Sequence, residues 1–306
     1  MTRPARPLPG LVRSLLAIGC LLSAAQPARA LEPSPTLDKI RETGSITLGH
    51  RESSIPFSYY DDRQQVIGYS QEIALAIVAA VRRELGRSDL QVRLNPVTSQ
   101  NRIPLVQNGT IDLECGSTTN NSERQRQVAF SNSLFVVGTR LLTRKDSGID
   151  DFDDLAGKTL VTTAGTTSER LLRKFESEKR LGIRIISAKD HGESFLMLES
   201  GRAAAFMMDD ALLYGEIAKA KHPQEWQVVG TPQSFEAYGC MLRKDDPGFK
   251  RLVDSTIAGL MVSGEARRLY AKWFQSPIPP KGLNLQFPPS PQVQELFAHP
   301  NDKALQ

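Results

Sequence analysis

The sequence predicts an α/β chain folded as two lobes joined by two crossover strands. Three observations lead there. Strand-like and helix-like segments alternate in two separate runs, a β-rich connector follows each run, and the length leaves room for two cores.

In the first run, residues 45–49 predict a strand. Residues 71–85 carry Ile73, Ala76, Ile77, Ala80 and Val81 at helical spacing and predict a helix. Residues 90–94 follow as a strand, 102–107 as a short helix and 111–115 as a strand. This β-α-β-α-β order implies a mostly parallel sheet with helices on both faces. The second run reads 151–155 helix, 159–162 strand, 167–178 helix, 184–187 strand, 193–198 helix, 203–208 strand and 211–220 helix. Residues 135–142 and 235–242 are the connectors. A long helix over 247–274 and a Pro-rich tail close the chain. The expected division is lobe 1 over 31–138 and 238–306, and lobe 2 over 139–237. Ligands in open α/β sheets sit at the carboxyl ends of strands, so those ends should face each other across a cleft.

Residues 1–30 read as a cleaved signal peptide. Arg3, Arg6 and Arg13 make a basic start, residues 11–25 are apolar, and Ala28-Arg29-Ala30 is a small-residue cleavage signal. The apolar stretch is too short for a membrane span. A lipoprotein signal at Cys20 is the weaker alternative, because the apolar run continues past it and Arg13 lies close before it. The leader carries four arginines and no acid, so the chain's net charge of +4 falls to about zero without it. The basic balance therefore does not argue for nucleic acid or a membrane surface. The remaining two cysteines, Cys115 and Cys240, would meet an oxidising compartment that permits a disulfide; two buried free thiols are the alternative. Four scattered histidines show no metal-ligand spacing, and no Walker phosphate loop is present.

The candidate site rests on two stretches. Ser99-Gln100-Asn101-Arg102, with Gly116-Ser117-Thr118-Thr119 and Arg124, places hydroxyls and guanidiniums at turns and helix starts. Phe206-Met207-Met208-Asp209-Asp210 ends an apolar strand in a carboxylate. Arginine holds a carboxylate through paired hydrogen bonds and a lone aspartate can hold an ammonium, so the set suits a small molecule with one ammonium and more than one carboxylate.

The motifs GHRESSIPFSYYD, VTSQNRIPLVQNGTIDLECGSTTN, GTTSE, SAKDHGESF, LESGRAAAFMMDDALL and EAYGCMLRKDDP resemble, in order, those of periplasmic solute-binding proteins of amino-acid ABC transporters, in the glutamate/aspartate-binding branch. The resemblance implies the two-lobed periplasmic-binding-protein fold. It implies that Arg124 clamps the α-carboxylate, assisted by Ser117, Thr119 and Thr167, and that Asp209 takes the ammonium. Asp210 is expected to cap the following helix. Arg51, Ser99, Arg102 and His191 would take the side-chain carboxylate. Arg51, Arg102, Arg124 and Asp209 together carry +2 with His191 neutral, which suits a ligand of charge −1. Glutamine would leave a buried guanidinium badly paired, at about 2–4 kcal/mol. Among the neighbours, His50 is expected to pack and Met207 and Met208 to lie in the core. Phe57, Tyr59 and Tyr60 are either pocket walls or ordinary half-buried strand aromatics, and Glu114 has no assigned role.

The resemblance further implies a periplasmic monomer that binds L-glutamate and L-aspartate, without cofactor, catalysis or nucleic acid, and serves an inner-membrane ABC permease. Two rival readings share the features. One is a cyclohexadienyl- or arogenate-dehydratase-like enzyme, for which His191 is the sole obvious general acid. The other is a ligand-binding sensor module.

Overall fold

The structure, a computed structural model, describes residues 33–305 together with Met1, Thr2 and Ala5. The expected leader motifs at Arg3, Arg6, Arg13, Cys20 and Ala28-Arg29-Ala30 lie outside the described residues. No helix among the described residues is long and apolar enough to cross a membrane.

The first run comprises α1 (Pro35–Thr43), β1 (Ser45–His50), β2 (Ser53–Ser54), β3 (Ser58–Tyr60), β4 (Val66–Ile67), α2 (Tyr69–Leu85), β5 (Gln91–Pro96), α3 (Arg102–Gln107), β6 (Leu113–Glu114), β7 (Thr119–Asn120) and α4 (Ser122–Gln125). The first connector is β8 (Ala129–Arg144). The second run holds β9 (Thr159–Thr163), α5 (Thr167–Lys179), β10 (Arg184–Ala188), α6 (His191–Glu199), β11 (Ala205–Asp209), α7 (Asp210–Lys219) and β12 (Trp226–Val229). The return connector is β13 (Phe235–Leu242). After it come α8 (Pro247–Val262), α9 (Glu265–Phe274), β14 (Pro277–Ile278), β15 (Leu283–Asn284) and α10 (Pro291–Ala298).

Each run builds a parallel sheet, as the alternation predicts. β1 lies between β5 and β6, and β9 lies between β10 and β11, all parallel. The connectors join them antiparallel in the order β10-β9-β11-β8-β13-β6-β1-β5. β8 changes partner midway. Ala129 to Gly138 pairs with β13, and Thr139 to Thr143 pairs with β11. One 16-residue strand thus belongs to both sheets.

Packing follows the apolar pattern. Ile73, Ile77 and Val81 of α2 recur at helical spacing and are buried in the main core with Phe57, Phe135, Tyr238 and Phe274. Phe57 and Tyr59 therefore belong to the core, where Tyr59 donates to the Pro279 carbonyl. Tyr60 turns its hydroxyl to His50, which is buried as expected. Met208 lies in the main core and Met207 in a second core with Leu141, Leu160 and Leu172.

One sequence expectation needs correction. The helix over 247–274 is two helices, because Gly264 takes φ +83, a left-handed conformation that ends a helix and that side-chain-bearing residues avoid. The Pro-rich tail is also structured. Ser290 caps α10, Pro291 opens it, and Val293, Leu296 and Phe297 bury one face. The expected disulfide is present: Cys115 and Cys240 are joined, so the free-thiol alternative falls.

Candidate functional site

The parallel strands of the two sheets end at one cleft. Arg51 follows β1, Ser99 and Arg102 follow β5, and Ser117 follows β6. Thr167 follows β9, His191 follows β10, and Asp209 ends β11. This is where open α/β sheets place ligands. Thr119 lies on β7, which is paired with β13, and Arg124 lies on the short helix α4 that Asn121 caps.

Three guanidiniums are buried here: Arg51 and Arg102 are 1% exposed and Arg124 is 3% exposed. None forms an ion pair with a carboxylate among the described residues. Their hydrogen bonds go to uncharged oxygens instead. Arg51 Nη1 donates to Ser117 Oγ at 3.4 Å, and Arg102 Nη1 to the Ser117 carbonyl at 3.1 Å and to Thr118 Oγ1 at 2.5 Å. Arg124 donates to the Thr119 carbonyl at 3.0 Å and the Gly165 carbonyl at 3.3 Å. Burial, and then the charge of Arg102, lowers Arg51 to about 10 and Arg124 to about 9. Burial lowers Arg102 as well. All three stay cationic at neutral pH.

The polar atoms around these arginines are left over. Ser99 Oγ, Arg102 Nε and His191 Nε2 are buried without a hydrogen-bond partner. His191 Nδ1 lies 2.9 Å from Thr163 Oγ1. Burial, then Arg51 and Arg102, pushes His191 well below its ordinary value, so the ring is neutral. The tautomer that suits an anion has Nε2–H free, with Thr163 donating to Nδ1 and Ser194 turning its proton from the Asp190 carbonyl to Thr163.

The other end of the cleft is acidic. Asp209 accepts from Thr139 Oγ1 at 3.0 Å, from Ser168 Oγ at 3.2 Å, and from the Tyr238 hydroxyl. Burial, and then the nearby Glu236 charge, raises its pKa against the pull of those hydroxyls. Glu236 on β13 accepts at one oxygen from Thr119 Oγ1 at 2.5 Å and from Thr167 Oγ1 at 2.6 Å. Asp210 does not cap α7. That position falls to Asp209, while Asp210 accepts from the Ala211 and Gly138 backbone N–H groups and so ties the helix start to β8.

The two runs touch across the cleft. Thr119 Oγ1 and Thr167 Oγ1 are 3.4 Å apart, and Ser53 Oγ donates to Asp190 at 3.2 Å. Gly165, at φ +78, sits where a Cβ would fall 2.9 Å from the Gln100 backbone, so no other residue fits this approach.

Eight of the nine expected residues are joined by hydrogen bonds or by mutual fields: Arg51, Arg102, Ser117, Thr119, Arg124, Thr167, His191 and Asp209. Ser99 is buried three positions before Arg102 with its hydroxyl unpaired. The expected charge of +2 needs revision, because Glu114 and Glu236 are also buried here and cancel it formally. Glu114 now has a place: one oxygen accepts from Thr118 Oγ1 at 2.7 Å, and Thr118 in turn accepts from Arg102. Sequence reasoning passed over Glu236 and Tyr238, although their two-residue spacing on a strand puts both on one face. Ser168 sat in the GTTSE motif already singled out; nothing in the sequence marks Thr139.

Residues 46–276 match the family of bacterial extracellular solute-binding proteins, family 3. The glutamate/aspartate import solute-binding protein of Salmonella typhimurium is 65% identical over 88% of this chain and 89% of its own. The L-glutamate/L-aspartate-binding protein of Pseudomonas aeruginosa is 62% identical over 94% of this chain and 95% of its own. Among solved structures, a mutant of the T. maritima protein ArgBP superposes with a TM-score of 0.69 at 28% identity, over 78% of this chain and 99% of that one.

Proposed function

The chain belongs to family 3 of the bacterial extracellular solute-binding proteins, and from that premise we propose that it binds L-glutamate and L-aspartate and delivers them to an ABC permease of the inner membrane. The observation that carries this reading is the trio of buried guanidiniums without a carboxylate partner, set opposite a buried aspartate. Buried charges need partners, and a dicarboxylic amino acid supplies the missing anions and a cation together.

In this reading, Arg51, Ser99, Arg102 and His191 hold the side-chain carboxylate. The unpaired Ser99 Oγ, Arg102 Nε and His191 Nε2 are the groups that would meet it. Arg124 clamps the α-carboxylate with Ser117, and the first turn of α5 at Thr167 offers N–H groups that no helical carbonyl accepts. Asp209 takes the ammonium. Arriving beside it, that cation offsets the burial that raises the Asp209 pKa.

The lobes divide at the point where β8 changes partner: residues 31–138 and 238–306 form one, 139–237 the other. They open and close about β8 and β13, and the ligand stabilises the closed form through contacts made from both sides. The protein acts as a monomer, exported to the periplasm by a cleaved leader and without affinity for nucleic acid. An enzymatic reading finds less support. A neutral His191 has no proton to spare as a general acid, and the highly identical relatives are named as binding proteins.

Calorimetric titration of protein refolded free of carried-over ligand tests the proposal, with L-glutamate, L-aspartate, L-glutamine and prephenate. Submicromolar binding of both acids, with glutamine at least ~100-fold weaker, is expected. Failure to bind either acid, or turnover of prephenate, overturns it. Equal small-angle scattering profiles with and without ligand would sink the closure mechanism.

A further inference from the structure

We infer that Glu236 is a positioning residue that turns the Thr119 and Thr167 hydroxyls into acceptors for the ligand's ammonium. The inference rests on the reading above and deepens it. A threonine hydroxyl has one proton and two lone pairs, and an ionised carboxylate has no proton to return. Thr119 and Thr167 both direct their proton to the same Glu236 oxygen, at 2.5 and 2.6 Å. What either oxygen can still present to a neighbour is a lone pair. Lone pairs repel a carboxylate and suit N–H donors, so these hydroxyls serve the ammonium while main-chain N–H groups serve the α-carboxylate.

The placement supports this. Thr119 comes from the first run, Thr167 from the second, and Glu236 from the strand that crosses between them. The two hydroxyls share one carboxylate only when the cleft is shut. Glu236 also neighbours Asp209, through Ser234 and Thr139. The Ser234 hydroxyl lies 3.3 Å from the second Glu236 oxygen and 2.8 Å from Thr139 Oγ1, which donates to Asp209. The acidic end is thereby one hydrogen-bonded unit with every hydroxyl proton turned inward. Such an edge favours an α-amino acid over the same diacid without its amino group.

The test compares L-glutamate with glutarate, which keeps both carboxylates and lacks the ammonium. Glu236→Met removes both acceptor oxygens, so neither threonine proton is held inward any longer. The expected result is a loss of about tenfold or more for L-glutamate with a smaller change for glutarate, which narrows the preference. The active fraction of protein cancels in that ratio. Thr167→Val removes one acceptor without altering Glu236 and should narrow the same ratio, which covers a Glu236→Met protein that does not fold. Equal losses for the two ligands, or an unchanged ratio in either variant, overturn the inference. A wild-type protein that fails to bind L-glutamate overturns the function itself, a distinguishable outcome.

Discussion

The two ends of the cleft are built on opposite plans. At the arginine end, strongly polar groups are buried and left with unused hydrogen-bonding capacity: Ser99 Oγ, Arg102 Nε and His191 Nε2. At the Asp209 end, the carboxylate takes three hydroxyl donors and Glu236 takes two more at one oxygen. The first end is incomplete without an anion. The second is already ordered and changes only its proton. On the proposed function, charge selection therefore resides with the arginines, and discrimination for the amino group with the acids.

The largest effect should come from the incomplete end. Arg102 is the common neighbour, felt by both Arg51 and Arg124. Arg102→Met should cost L-glutamate about 2–5 kcal/mol of binding, roughly 30- to several-thousand-fold, because one ligand carboxylate would be buried without its main partner. Calorimetry reads it directly. A loss below about fivefold, well under that range, would mean Arg51 and His191 hold the anion unaided, and the comparison would break.

The disulfide sharpens the contrast, since it ties one end to the other. Cys115 follows Glu114 and precedes Gly116-Ser117, while Cys240 lies two residues after Tyr238. The bridge closes a loop with a sequence separation of 125. Replacing both cysteines with serine should lower unfolding stability by about 2–4 kcal/mol, chiefly through the freed unfolded chain. Urea unfolding measures that. Affinity for L-glutamate should shift much less, because the β6–β13 pairing at Glu114 and Met241 also holds the two ends together.

Asp209 gives the next effect, and its sign is set by burial. Its pKa is raised in the free protein, so it holds a proton over a range where an ordinary aspartate does not. An ammonium requires the carboxylate, so binding must release that proton. Affinity for L-glutamate should therefore fall as pH drops through the raised pKa and level off above it. Titrations in two buffers of different ionisation enthalpy should report proton release near neutrality, and glutarate should report less. Asp209→Asn should bind about 10- to 100-fold more weakly and lose the proton release. No buffer dependence in the wild type would remove Asp209 from the ammonium's role.

The sequence made the two-run alternation legible because each run's apolar spacing matches its element and Gly, Pro and Asp mark the turns. Asp209 and the arginines were legible because they sit in motifs that resemble, in order, those of the glutamate/aspartate-binding branch. What stayed hidden depends on tertiary context. Gly264 interrupts a continuous helical pattern through one backbone conformation. The tail's prolines concealed α10, whose stability comes from burying Val293, Leu296 and Phe297. Glu236 and Glu114 looked like ordinary strand residues, and only pairing of β13 with β7 and β8 brings Glu236 to Thr119. Counting charges along the chain missed both acids, and so overstated the positive charge of the site.

The smallest effect separates a histidine that contributes hydrogen bonding from one that contributes charge. His191 is buried, and that burial, followed by the charges of Arg51 and Arg102, keeps it neutral. A neutral ring can give the side-chain carboxylate one hydrogen bond from Nε2 and no ion pair. His191→Asn should therefore cost only about 0.5–1.5 kcal/mol, a factor of roughly 2–12, far below Arg102→Met. It should leave the pH dependence of L-glutamate binding intact, since Asp209 supplies it. Loss of that pH dependence in His191→Asn would show that the imidazole charges in the complex. The arginine end would then be a titrating site like the acidic end, and the division between the two would fail.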